Sequence, residues 1–145
     1  MLKAGEVVGV FAEATISRSF TVKEIKNGAI RMAQATNTPV IPVALWGSQR
    51  FWTKGRPKKL TQRHVPLTIL VGEPIHPKRG ENVNDHAADL YARLSGLVDR
   101  AQRTYPEVPP GVWWQPAHLG GTAPTPEEAA AMDAAEAEAR AKKDD

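Results

Sequence analysis

The order of periodicities along this chain predicts an α/β fold. Short runs of β-branched and aromatic residues alternate with longer stretches whose apolar positions recur at helical spacing, and an alanine-rich, charged segment closes the chain. The first run, Val7 to Phe11, sets β-branched and aromatic residues back to back and reads as a buried strand. It runs out into a loop where Glu13, the hydroxyls of Thr15, Ser17 and Ser19, and the guanidinium of Arg18 arrive together. A parallel strand opening onto a ligand crevice has this composition, and so has an ordinary polar strand exit.

The remaining elements follow in order. Lys23, Lys26, Asn27 and Gly28 lead into Ile30, Met32, Ala33 and Ala35, which predict a helix from about Asn27 to Ala35. Pro39 forbids its continuation, because proline has no amide to donate. Val40 to Trp46 reads as a second buried strand, and Pro42 within it favours an edge or a bulge. Gly47 closes that strand, and Ser48 to Arg63 forms a long basic connection. Phe51 and Trp52 lie there beside Arg50 and Lys54; the rings either anchor at a lipid headgroup boundary or pack on the domain's own core. Leu67 to Val71 predicts another strand, with Gly72-Glu73-Pro74 turning out of it.

From Asn84 or Asp85 to Tyr105 the spacing is helical again. Ala87, Leu90, Leu94, Leu97 and Ala101 mark an apolar stripe, and Asn84 or Asp85 is placed to cap the start. This is a packing helix with no chemistry attached. Pro106 to Gly121 holds Trp113-Trp114 and is too apolar for a free linker. Thr125-Pro126-Glu127-Glu128 is a good helix start, with a hydroxyl cap and acids at the positive end of the dipole. The remainder to Asp145 has few large apolar residues, which predicts a solvent-exposed or frayed helix. Three segments result: a domain over 1–105, a Pro/Gly/Trp-rich stretch over 106–124 packed on it, and a helical tail over 125–145.

Composition narrows the chemistry. The 145 residues can hold one modest domain. Cysteine is absent, so disulfides and thiolate metal sites are excluded, and a reducing cytoplasm is compatible. No apolar stretch approaches the roughly 18–20 residues that span a bilayer, so membrane contact made by these residues must be peripheral. Residues 1–80 carry 13 Lys and Arg against 4 Asp and Glu, whereas residues 81–145 carry 6 against 12. No acid occurs between Glu24 and Glu73, where Arg50, Lys54, Arg56, Lys58, Lys59 and Arg63 cluster. Such a field favours anionic partners such as headgroups or coenzyme phosphates. No motif for nucleic acid accompanies it, so none is expected as a partner.

Three blocks carry a family resemblance. F-A-E-A-T-I-S, then I-K-N-G-A-I-R-M-A, then T-P-V-I-P-V-A-L-W-G resemble, in order and spacing, successive blocks of the glycerolipid (1-acylglycerol-3-phosphate) acyltransferases. That family reads F-P-E-G-T-R-S, a Phe-Lys-x-Gly-Ala helix entry and a V-P-(I/V)-(I/V)-P-V strand; the variant here is similar to an actinobacterial branch. The resemblance covers roughly residues 5 to 75. It implies a partial mixed β-sheet flanked by helices, the C-terminal half of the acyltransferase fold. It also implies transfer of an acyl group from acyl-CoA or acyl carrier protein to the hydroxyl of lysophosphatidate or a related lysophospholipid.

The family's catalytic His-x-x-x-x-Asp is not among these residues. Five positions beyond His64, His76, His86 and His118 stand Ile69, Glu81, Tyr91 and Ala123. No residue here is therefore assigned a catalytic role, and the start reads as an internal one, giving a truncated form inactive by itself. The resemblance assigns substrate binding to Glu13, Thr15, Ser17, Lys26 and Gly28. The family glycine is Ala14 here, and the family arginine, credited with holding phosphate, is Ile16. Arg18, two residues on and on the same side of an extended segment, is the expected substitute. No cofactor or metal is implied. The expected location is cytoplasmic, or peripheral on the inner face of the plasma membrane against anionic lipid. The alternative is a non-catalytic module that binds anionic lipid or phosphate.

Overall fold

Two short strands carry the alternation that builds the sheet. In the computed structural model, which describes residues 2–13, 16–106 and 108–144, strand β1 is Val43–Trp46 and strand β2 is Thr68–Val71. They pair antiparallel, Val43 opposite Val71 and Leu45 opposite Ile69 on one face, Ala44 opposite Leu70 and Trp46 opposite Thr68 on the other. Ala44 and Trp46 are buried, whereas Val43, Leu45, Ile69 and Val71 are exposed. Strand β1, the end of the run expected to be wholly buried, is thus buried on one face only. Its apolar residues are continuous because both faces are apolar, and only one is covered.

Pro42 sits where its missing amide costs nothing. Val40 bridges Ile75, while Val43 pairs with Val71, so Ile41 and Pro42 stand opposite Gly72, Glu73 and Pro74. The extra residue is on the β2 side, within 72–74, and Pro42 stands opposite it on a strand that has one sheet neighbour among the described residues. The Pro42 carbonyl still accepts from the Gly72 amide at 2.9 Å. A Cβ on Gly72 would lie 2.9 Å from Leu97 Cδ1 and 3.0 Å from Pro42 Cγ, so glycine lets the helix approach the bulge closely.

Helix α1, Gly28–Thr36, buries Ile30 and Ala33 and ends at Asn37, whose φ of 53° turns the chain left-handed. Helix α2, Val83–Arg103, is capped two or three residues before the expected Asn84 or Asp85, because Asn82 is the cap and accepts from the Asn84 amide at 2.9 Å. The α2 stripe joins both cores. Leu90, flanked by Val83, Ala87 and Leu94, packs with Ile25, Ile30 and Ile75. Ala101 packs further along with Trp46, Tyr105 and Trp114. Trp114 brings the 106–124 stretch onto the domain. The Gln49 amide donates to the Trp114 carbonyl at 3.3 Å, and the Arg50 guanidinium lies 4.7 Å from the ring centre. Helix α3, Pro126–Asp144, opens with a reciprocal capping box: the Glu128 amide donates to Thr125 Oγ1 and the Thr125 amide to Glu128 Oε2. Among the described residues no helix is long and apolar enough to cross a membrane.

Val7 to Phe11 is not a strand. Val7 is 94% and Phe11 97% exposed, and no ladder reaches them. A strand exists only by pairing, and among the described residues the one sheet consists of β1 and β2. Composition alone therefore misassigned this run. Replacing Ile30 (0% exposed) with alanine is expected to cost about 3 kcal/mol in a urea titration, and Phe11→Ala less than about 0.5 kcal/mol. A reversed ranking would reinstate the buried strand.

Candidate functional site

The loop after Phe11 is pinned at both ends. The Lys26 amide donates to the Ala12 carbonyl at 2.9 Å, and the Lys23 amide donates to Glu13 Oε2 at 2.9 Å. Burial pushes the Glu13 carboxyl up from its ordinary value, while the Lys23 amide and charge pull it partly back. Between these pins the hydroxyls of Ser17, Ser19 and Thr21 point the same way, 3.2 Å and 2.8 Å apart in succession. Phe20, at φ 59°, turns the other way onto the edge of Trp46, and its carbonyl accepts from Gln102 Nε2 at 2.7 Å. The loop is thereby fixed to α2 on one side and presents a hydroxyl row on the other.

Helix α3 faces that row. Ala129, Asp133 and Glu136 fall at i, i+4 and i+7 and share one side of the helix. Ala129 is buried, and the two acids meet three cations from two separate loops. Arg18 donates through Nε to Asp133 Oδ1 at 3.0 Å and through Nη2 to Glu136 Oε2 at 2.6 Å. The Lys23 ammonium lies 2.6 Å from Asp133 Oδ2. Lys54 reaches Asp133 Oδ1 at 2.9 Å and Glu136 Oε2 at 3.3 Å. A Cβ on Gly55, at φ 73°, would lie 2.8 Å from Arg18 Nη1, so glycine there leaves room for the guanidinium. A cleft of about 400 Å³ lies between the two sides, with Ser17, Ser19, Thr21 and Lys23 on one and Ala129, Ala130 and Asp133 on the other.

The cations hold both acids below the ordinary carboxylate range. Asp133 is depressed by hydrogen bonds from Lys23, then Lys54 and Arg18, against the opposing effect of burial. Glu136 is depressed by Arg18 and then Lys54. Arrangements of this kind bind anions through charge-assisted hydrogen bonds. They do not activate a nucleophile. Among the described residues no group of three or more His, Asp or Glu side chains gathers as metal ligands would.

Ser17 lines the cleft with Lys23 and Asp133; Arg18 reaches that cleft through Asp133, and Glu13 through the Lys23 amide, without lining it themselves. Lys26 points outward, 63% exposed, with Glu24 3.5 Å away. Gly28 opens α1 with free space where its side chain would be and does not line the cleft. Thr15 and Ala14, with the strain expected at Ala14, lie outside the described residues. Lys54, Asp133 and Glu136 were not singled out for the site by sequence reasoning, nor was Lys23. The usable signal is the charge division: the acid-free stretch between Glu24 and Glu73 needs counter-charge, and the acids are in excess after residue 80. The tail is therefore not a free helix. Its solvent-facing side is exposed, and its 129–133–136 side is docked by charge.

A depressed carboxylate contributes stability above its unfolded pKa and loses it as pH falls through the folded value. Docking of α3 is therefore expected to be constant from pH 8 to about 5 and to weaken progressively below about pH 4, read from amide exchange across 126–142. Loosening between pH 8 and 5 would contradict the ion-pair account. Glu13 has the opposite sign: its raised pKa means stability is lost as pH rises above about 4.5. Glu13→Gln keeps an oxygen for the Lys23 amide without the charge. Its urea midpoint at pH 7 should be no lower than that of the parent chain, with the difference vanishing near pH 4. A lower midpoint at pH 7 would make the charge structural.

Comparison with known proteins places this geometry in context. A family model described as Acyltransferase matches residues 1–46. The chain is 28% identical over 98 residues to a chloroplastic 1-acyl-sn-glycerol-3-phosphate acyltransferase of Brassica napus, covering 68% of this chain and 28% of that protein. It is 32% identical over 79 residues to the 1-acyl-sn-glycerol-3-phosphate acyltransferase of Bacillus subtilis, covering 52% of this chain and 34% of that one. The crystal structure of the 1-acyl-sn-glycerophosphate acyltransferase PlsC from Thermotoga maritima superposes with a TM-score of 0.61 at 25% identity. The match covers 73% of this chain and 43% of that one. The chain thus spans less than half the length of each of these relatives. The expected α/β arrangement is the corresponding part of that fold, with two antiparallel strands in its sheet among the described residues.

Proposed function

Because the chain belongs to the glycerolipid acyltransferase family, we propose that it forms the phosphate-holding side of an acyl-transfer site. The acceptor on this reading is 1-acyl-sn-glycerol 3-phosphate, the lysophosphatidate named for its relatives. The observation that carries the reading is Asp133, where Arg18 and Lys23 meet beside the cleft that the Ser17 hydroxyl row lines, on a loop ordered by Glu13. Arg18 presents a planar fork suited to two phosphate oxygens, and Ser17 adds a hydroxyl donor. Glu13 shapes the loop through the Lys23 amide instead of touching the reacting atoms.

Acyl transfer breaks the thioester carbon–sulfur bond of acyl-CoA or acyl carrier protein and forms an ester bond to the lipid hydroxyl. The hydroxyl proton must leave to a base as the bond forms. None of the four histidines is followed five positions on by Asp, and His86 is engaged by Glu81 at 2.7 Å on the far side of the glutamate block. These 145 residues bind acceptor on this reading and do not turn it over unaided. Peripheral contact with an anionic bilayer on the cytoplasmic side is part of the same proposal. It is supported by Trp52, 56% exposed with the Lys58 ammonium 4.5 Å from its ring centre, and by exposed Leu60 nearby. The lack of a base also favours the second reading, a non-catalytic module for phosphate or anionic lipid.

A short-chain 1-acyl-glycerol 3-phosphate, used below its micellar concentration, is expected to bind the chain in a calorimeter. Arg18→Ala should weaken it about 10- to 100-fold, the loss of a charge-assisted hydrogen-bond pair. Unchanged affinity would remove Arg18 from the site. Acyl transfer by the rigorously purified chain would overturn the claim that it lacks a base.

A further inference from the structure

The three cations do not wait for a ligand with empty hands. We infer that Arg18, Lys23 and Lys54 form one phosphomonoester site whose occupant in this structure is the chain's own helix α3, which a ligand must displace. The inference rests on the reading of the Arg18 loop as phosphate-holding, and extends it by two lysines and by an internal competitor.

Charge and geometry agree. Asp133 and Glu136 together carry two negative charges, as a phosphomonoester does near neutral pH, about −1.5 to −2. Asp133 alone receives all three cations at 2.6–3.0 Å, and Glu136 takes Arg18 and Lys54. The carboxylate oxygens thus occupy the positions that phosphate oxygens would take among the same donors. Three cations against two acids leave a positive surplus on the loops, which favours an anion over a neutral occupant.

The helix is held in a way that permits release. Ala129 is its one buried apolar anchor among the described residues, and Met132 is exposed. Partly exposed ion pairs contribute little each, and salt screens them. The start of the helix is ordered without the dock, through the Thr125–Glu128 box. Trp114 fixes the preceding stretch to the core, so a released α3 stays tethered nearby and competes at high local concentration. A site closed most of the time lowers apparent affinity by the fraction of time it is open.

The probe is glycerol 3-phosphate, added to the full chain and to the double variant Asp133→Asn, Glu136→Gln. The double variant is expected to bind it at least about tenfold more tightly than the parent chain. Glu138→Gln, an exposed acid on the same helix, should leave affinity unchanged. In the unaltered chain, saturating probe should speed amide exchange across 126–142 while α2 stays protected; this measurement decides the matter if the double variant fails to fold. Equal or weaker binding by a folded double variant, with α3 exchange unmoved by probe, overturns the inference. Lys54→Ala and Arg18→Ala then separate the two readings. If both weaken the probe, the phosphate site stands without α3 as its occupant. If the probe binds neither the parent chain nor the double variant, the phosphate-holding reading falls as well.

Discussion

Three cations held within reach of one carboxylate repel each other, and that repulsion governs the arrangement of both loops. Like charges about 5 Å apart at an effective dielectric of 20 oppose one another by roughly 3 kcal/mol per pair. Arg18 and Lys23 belong to the loop after Glu13, and Lys54 to the long connection after β1; nothing in the sheet obliges them to meet. They meet at Asp133. Without an anion at that point the two loops would relax apart, and the hydroxyl row of Ser17, Ser19 and Thr21 would lose the wall that makes a cleft of it. The anion is a structural requirement before it is a functional one.

The basic field of the first half is consequently less open than its composition suggests. Arg50 lies over Trp114, Arg56 over Trp113 at 4.1 Å, and Lys58 over Trp52. Arg50 also donates to the Tyr105 hydroxyl at 3.2 Å, which itself donates to the Pro66 carbonyl at 2.6 Å. Aromatic faces and carbonyls absorb one part of the field and the α3 carboxylates another. Both rings of the Trp113-Trp114 pair act as seats for cations. The basic connection thereby fastens the stretch that leads to α3.

Local periodicity made most of the fold legible. Helix α1 and strand β2 lie within a residue or two of their expected limits, because their apolar spacing, with Pro39 and the Gly72 turn beside them, is set by neighbours in sequence. Pro42 favoured an edge or a bulge; it lies on an edge strand, and the extra residue opposite it belongs to the 72–74 segment. What failed was whatever depends on a distant partner. Val7 to Phe11 has the composition of a strand and no strand beside it. The α2 cap moved to Asn82 because Asn84 supplies the amide that is capped. In the site, Glu13, Ser17 and Arg18 stand close in sequence and could be found together. Lys54 and Asp133 are 79 residues apart, and no local pattern joins them. Lys26 stands apart from the cleft: its backbone amide pins the loop to Ala12, while its side chain lies beside Glu24.

The alanine-rich tail is informative because of what it lacks. A helix rich in leucine would dock on the cleft through buried area that no small anion can match. A helix without acids would leave the cations unpaired. Alanine at 129 and 130 lets the backbone of α3 approach the hydroxyl row, and two acids one turn apart supply the whole of its specificity. Its hold is therefore electrostatic and competes on equal chemical terms with another anion. A phosphate ester brings similar charge on three terminal oxygens of a single group, and it needs no ordered helix to deliver them. The same composition that predicted an unanchored tail explains how the tail can be seated and still be removable.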